Sequence, residues 1–146
     1  MTQLPRTILV ATDFSDTAEQ ALDYAIALAS KLGARVYLLN AIALPTFGVV
    51  PELGVGPTST MIDGIVSDNQ QALDKLIAAK APMKIHTLMR TGDPRDLIVD
   101  TAAEVGADLI VMGTHGRRGV TRALLGSVAE GVLRHATCPV LTIRKQ

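Results

Sequence analysis

Ile110-Val111-Met112-Gly113-Thr114-His115-Gly116 is followed, after nine further residues, by Gly126-Ser127. An unbroken Ile/Val/Met run reads as a strand buried on both faces, which is the habit of parallel sheets. Glycine at its carboxyl end lets backbone N–H groups approach a ligand with no Cβ in the way. Ser127 and Glu130 have the S-x-x-E spacing of a capping box, so a helix is expected to begin at Gly126 and run from about Val128 to His135. Its unpaired N–H groups and positive dipole end would attract an anion such as a nucleotide phosphate. No acidic residue lies between Asp108 and Glu130, whereas Arg117, Arg118 and Arg122 do. In a chain of zero formal net charge this is a local positive field.

Working outward, strands and helices alternate. Thr7 to Thr12 reads as a strand with Asp13 just beyond it, and Asp16 with Glu19 makes a D-x-x-E helix start. Ala18, Ala21, Leu22, Ala25, Leu28, Ala29 and Leu32 recur at helical period up to Gly33. Arg35 to Ala43 is a second strand, and Leu44 to Pro57 is a Pro- and Gly-bearing connection, long for a strand-to-helix loop, whose role stays open. A helix from about Thr58 to Lys80 would bury Ile62, Ile65, Val66, Leu73, Leu76 and Ile77. Met83 to Arg90 is a third strand. Asp93-Pro94 opens a third helix as N-cap and first residue, with Leu97, Ile98, Thr101, Ala102 and Val105 inward, and Gly106 closes it. Ala107 to Met112 and Pro139 to Arg144 complete five strands. The pattern predicts one α/β domain over residues 1–146, an open parallel sheet with helices on both faces.

Composition narrows the partners. A chain of 146 residues, 48% hydrophobic, supports one core rather than two. Fourteen basic residues balance fourteen acidic ones, which speaks against nucleic acid and against an anionic membrane surface. The absence of Trp, with only Phe14, Phe47, Tyr24 and Tyr37 aromatic, speaks against base-stacking platforms. A single cysteine, Cys138, forms no internal disulfide, and no signal-like segment opens the sequence, so a soluble cytoplasmic protein is expected.

Ligands of open parallel sheets sit outside the carboxyl strand ends, where strand order reverses. Asp13 and the Gly113 turn both lie at such ends. If the first and fourth strands are neighbours, a polyphosphate would lie on Gly113, Gly116, Gly126 and the last helix, with a sugar or base toward Asp13. A carboxylate repels phosphate, so Asp13 would accept a hydrogen bond from a ribose hydroxyl or help hold Mg²⁺. Valine at Gly113 or Gly126 would then abolish binding and leave the fold largely intact. Competing motifs fail: Thr12-Asp13-Phe14-Ser15 stands where a G-x-G-x-x-G fingerprint would be, no Walker A loop exists, and Arg90-Thr91-Gly92 occupies the place of a phosphate-receiving aspartate.

Gly113-x2-Gly116-x9-Gly126-Ser127, with the Asp13 strand end and the Cys138-Pro139-Val140 strand, resembles the nucleotide-binding class of universal stress proteins over the whole chain. The resemblance implies strand order 3-2-1-4-5, ATP or another adenine nucleotide at the switch point, and a homodimer paired through the last strands. It implies a site of Ala11, Thr12, Asp13, Ala41, Met112, Gly113, His115, Gly116, Arg117, Gly126, Ser127 and Val128. Among these, Asp13 would meet the ribose region, the Ala41 backbone adenine, and the glycines with Ser127 the phosphates. Plainer roles stand beside these. Gly113 and Gly116 also fit as turn glycines, Ser127 as a helix cap, Asp13 as a solvated turn residue, and the arginines as a solvated loop. His135 suits a last helical turn, and Cys138 a small buried hydrophobe.

Three function classes follow: a non-catalytic nucleotide-binding regulator of a stress response, a slow nucleotide hydrolase or phosphoryl or adenylyl transferase, and a dimeric module with a vestigial site. The lack of a Walker lysine, paired carboxylates or a Ser/His/Asp arrangement weighs against the enzyme.

Overall fold

The structure, a computed structural model, describes residues 2–44, 51–54, 56–115 and 124–145. Its elements are β1 (Thr7–Thr12), α1 (Asp16–Leu32), β2 (Arg35–Ile42), a 3-10 turn (Pro51–Leu53), α2 (Ser59–Ala79), β3 (Ile85–Thr91), α3 (Pro94–Val105), β4 (Leu109–Gly113), α4 (Ser127–His135) and β5 (Val140–Ile143). The five strands form one parallel sheet of order β3-β2-β1-β4-β5. The chain works outward from β1 to β3, then crosses back to place β4 on the other side of β1. The switch point therefore lies between β1 and β4.

Alternating side chains divide the core into two layers. Ile8, Val10, Val36, Leu38, Leu109 and Val111 pack under α1 and α2 with Ala21, Leu22, Ala25, Ala29 and Leu73. Leu9, Leu39, Ile110 and Met112 pack under α3 and α4 with Ile98, Ala102, Ala129 and Val132. β1 and β4 are covered on both faces, which is why their sequences show no polar alternation.

Local chemistry sets the ends. α1 is capped by Ser15, whose Oγ accepts from the Ala18 N–H at 3.2 Å, so the D-x-x-E start moves back one residue. Asp16 and Glu19 instead place negative charge in the first turn, against the positive end of the helix. Asp93 caps α3 with Pro94 as its first residue, as its sequence requires. β4 begins at Leu109 rather than Ala107, and just before it the Asp108 Oδ2 accepts from Arg6 N at 2.9 Å and Thr7 N at 3.0 Å. β3 begins at Ile85, two residues later than expected, after a turn in which Met83 N donates to Lys80 O.

The apolar stripe of α2 is the main departure. Only Leu73 is fully buried, while Ile62, Ile65, Val66, Leu76 and Ile77 are half-buried. Length gives a reason: 21 residues make about 32 Å of helix, against about 26 Å for the eight-residue strand β2. The helix is thus longer than the strand it covers.

Candidate functional site

Register gathers the sequence-selected residues at one end of the sheet. Val10 pairs with Val111, so the parallel ladder, continued, sets Ala11 beside Met112 and Thr12 beside Gly113. Thr12 pairs with Asn40, which sets Ala41 alongside Asp13. Ala11, Ala41 and Met112 face the α3/α4 layer; Met112 is buried and the two alanines half-buried. Gly116 lies outside the described residues, as do Arg117, Arg118 and Arg122, the arginines of the positive field.

The β1 end is a tightly wired turn. Thr12 Oγ1 accepts from Phe14 N at 3.0 Å, and Asp13 Oδ1 accepts from Ser15 N at 3.0 Å. Phe14 has φ 64°, a left-handed conformation that a bulky residue rarely adopts and that costs about 1–3 kcal/mol. The turn redirects the chain so that Ser15 caps α1 with its N-terminus at the carboxyl end of the sheet. Beneath it, Asn40 Nδ2 donates to Thr12 O at 3.0 Å. Asn40 is only 2% exposed, and its Oδ1 has no partner among the described residues. A carbonyl must receive an amide N–H, so the orientation of this side chain follows from its contact. Neither Asn40 nor the Phe14 turn was singled out from the sequence. A lone polar residue inside Val36-Tyr37-Leu38-Leu39-Asn40-Ala41-Ile42 was the available signal for Asn40; the Phe14 backbone leaves none.

The β4 end depends on two glycines. A Cβ on Gly113 would lie 2.7 Å from Thr17 Cγ2, on the first turn of α1. A Cβ on Gly126 would lie 2.7 Å from Thr114 O, and Gly126 N donates to that same oxygen at 2.7 Å. Both glycines are thus required by packing, whatever else they do. This corrects the expectation that valine at either position leaves the fold intact.

The capping box is also corrected. Gly126 is the N-cap of α4 with no side-chain cap bond, Ser127 is the first helical residue, and Glu130 pairs with Arg134 at 3.0 Å. The reason is the close approach of Gly126 to Thr114, which excludes a side chain at the cap and shifts Ser127 into the helix. Ser127, Val128 and the open N–H groups of the first turn consequently stand at the same sheet end as Thr114 and His115. Thr114 Oγ1 lies 3.1 Å from His115 Nδ1, and the buried His115 Nε2 has no partner among the described residues. An unpartnered buried polar atom of this kind costs about 1–3 kcal/mol.

Beside this crevice, a cavity of about 400 Å³ is lined by Ile42, Val66, Met89, Arg90, Thr91 and Leu97. Arg90 is committed: its guanidinium makes two bonds to Glu104, at 2.7 and 2.8 Å, and one to Thr101 at 3.0 Å. The hydrogen bond from Arg90 holds the Glu104 carboxyl below the usual carboxylate range. Elsewhere, burial pushes the Cys138 thiol up, away from nucleophilic use, and His135 Nδ1 sits 2.9 Å from Gly131 O at the end of α4. No three His, Cys, Asp or Glu side chains gather as metal ligands among the described residues, and no helix there is long and apolar enough to cross a membrane.

A parallel sheet with its switch point between β1 and β4, where α1 and α4 begin, defines an α/β fold of the doubly wound kind, a fold whose ligands sit outside the carboxyl strand ends. The model of the universal stress protein family matches residues 5–144, and the chain belongs to that family. Universal stress protein MJ0531 of Methanocaldococcus jannaschii is 39% identical over 97% of this chain and 84% of its own. Among solved structures, the protein MJ0577 of the same organism superposes with TM-score 0.81 at 29% identity, covering 97% of this chain and 96% of that one. A universal stress protein in complex with cAMP has TM-score 0.66 at 30% identity, covering 97% and 98%. One from Archaeoglobus fulgidus in complex with dAMP has TM-score 0.60 at 31% identity, covering 94% and 96%.

Proposed function

We propose that this chain is an ATP-binding member of its family, a single nucleotide-binding domain that acts in the cytoplasm as a non-catalytic regulator of a stress response. The observation that carries this is the meeting of the β1 and β4 ends across the switch point, with α4 drawn against Thr114 by the missing side chain of Gly126. Adenine nucleotides in two relatives, cAMP and dAMP, support the choice of ligand.

In this site the phosphates lie on Gly113, Gly116, Gly126, Ser127 and the α4 N-terminus, with Arg117 supplying positive charge. His115 Nε2, which has no partner among the described residues, finds one there, and Val128 and Met112 line the wall. Ala11, Thr12 and Asp13 flank the ribose, and the backbone at Ala41 meets the base. Asp13 offers one carboxylate, and Mg²⁺ commonly binds through one or two carboxylates plus substrate phosphates, so the residue suits Mg²⁺ carried in with ATP.

Binding rather than turnover is the output, a reading supported by the sequence, which has no Walker lysine and no Ser/His/Asp arrangement around the glycine motif. β5 is an edge strand whose four residues are all half-buried, and pairing it antiparallel with its copy in a homodimer would cover that edge. Mass spectrometry of small molecules released on denaturing the purified protein tests the assignment. Stoichiometric adenine nucleotide supports it, and a different ligand class would refute it.

A further inference from the structure

Asn40 stands among the buried apolar residues Leu38, Leu39 and Ile42 of β2, where a leucine would pack without cost to hydrogen bonding. Its amide reaches across to β1 and takes the Thr12 carbonyl at 3.0 Å. Thr12 is where β1 ends, and the next two amides turn back on this stretch: Phe14 N to Thr12 Oγ1 and Ser15 N to Asp13 Oδ1. Between them Phe14 is held at φ 64°. A left-handed aromatic residue persists only where its surroundings over-determine it. The bond from Asn40 is a side-chain tie between this turn and the neighbouring strand, added to the backbone pairing of Thr12 with Asn40, whereas the Phe14 and Ser15 bonds are internal to the turn.

We infer that Asn40 is a positioning residue for Asp13: by anchoring the Thr12 carbonyl it holds the Thr12–Ser15 turn in its left-handed form and so presents Asp13 to the ribose of a bound nucleotide. Asn40 itself is buried beneath the turn and touches no ligand. Its role rests on the nucleotide-binding function proposed above, but its effect on the turn exists in the ligand-free protein as well.

Two substitutions keep the size of the side chain and remove the donor: Asn40→Leu, which restores an apolar strand, and Asn40→Asp, which keeps the shape. Amide hydrogen exchange of the ligand-free variants is the first measurement. Phe14 and Ser15 amides should exchange at least about tenfold faster relative to the β1 amides of Ile8 to Val10, the scale of one lost hydrogen bond. An unchanged ratio in both variants would overturn the inference, with or without a nucleotide site.

Calorimetry with ATP and with inorganic tripolyphosphate is the second measurement. Asn40→Leu should weaken ATP about tenfold and leave tripolyphosphate within twofold, and it should add nothing in an Asp13→Ala background. Equal losses for both ligands, or full additivity with Asp13→Ala, would show a merely structural role. A parent protein that binds neither ligand would refute nucleotide binding, while the exchange ratio would still decide what Asn40 does to the turn.

Discussion

Gly126→Ala adds one carbon at the point where α4 is drawn against the end of β4. The new Cβ would lie 2.7 Å from Thr114 O and 3.5 Å from His115 Cα, both backbone atoms that no rotamer change can move. Gly126 sits at φ −65°, ψ 155°, which alanine adopts freely, so the penalty is steric rather than conformational. Relief requires α4 to retreat by roughly half an ångström, and overpacking of this sort costs about 1–3 kcal/mol. Gly64→Ala is the internal control. It lies within α2 with nothing within 4 Å of its added carbon, and should stabilise the helix by about 0.5–1 kcal/mol. Urea denaturation should therefore move the two variants in opposite directions, and Gly126→Ala should also lose at least about tenfold in ATP affinity because the helix N-terminus has withdrawn. A Gly126→Ala protein as stable as the parent, binding ATP equally well, would refute both the packing role and the proposed phosphate position.

Lys80 at the end of α2 bonds Asp23 at 2.8 Å and Glu19 at 2.9 Å on α1, and the Asp23 hydrogen bond leads in raising its pKa. Its raised pKa contributes stability that is present below about pH 10.4 and lost as pH rises through the folded value; Lys80→Met should cost about 1 kcal/mol at neutral pH in urea melts and less in strong alkali. Asp93 and Glu104 are held below the ordinary carboxylate range by hydrogen bonds from Arg95 and Arg90 respectively. Their contribution is present above about pH 4 and lost on acidification through the folded values, so Asp93→Asn with Glu104→Gln should flatten the acid limb of a stability–pH curve. On β5, the carbonyls of Pro139 and Ile143 accept from Ile110 and Thr114, which turns the N–H groups of Val140 and Thr142 to the open edge. Thr142→Pro should weaken dimerisation in sedimentation by at least about tenfold with little loss of monomer stability; a dimer as tight as the parent's would place the interface elsewhere.

The sheet was legible because β1, β4 and β5 are short apolar runs and the helices between strands carry signals that act locally: Asp93-Pro94 opens α3, Gly33 and Gly106 stop α1 and α3. Strand order needed more than local signals, and came from the spaced glycines and the resemblance they carry. What escaped was set by contacts distant in sequence. Ser127 looks like a cap beside Glu130, yet the approach of Gly126 to Thr114, twelve positions earlier, decides the helix start. Likewise the bond between Asn40 and Thr12 joins residues 28 apart, beneath the turn that holds Phe14 in its left-handed form. Apolar periodicity in α2 reported a face correctly, but could not report that the helix is longer than the strands beneath it.

Titration of the purified, nucleotide-stripped protein with Mg·ATP by calorimetry bears on nucleotide binding without intermediaries. One site per chain with Kd on the order of micromolar, about −8 kcal/mol, is the predicted outcome. No saturable binding up to about 1 mM, where the free energy falls to about −4 kcal/mol, would contradict it.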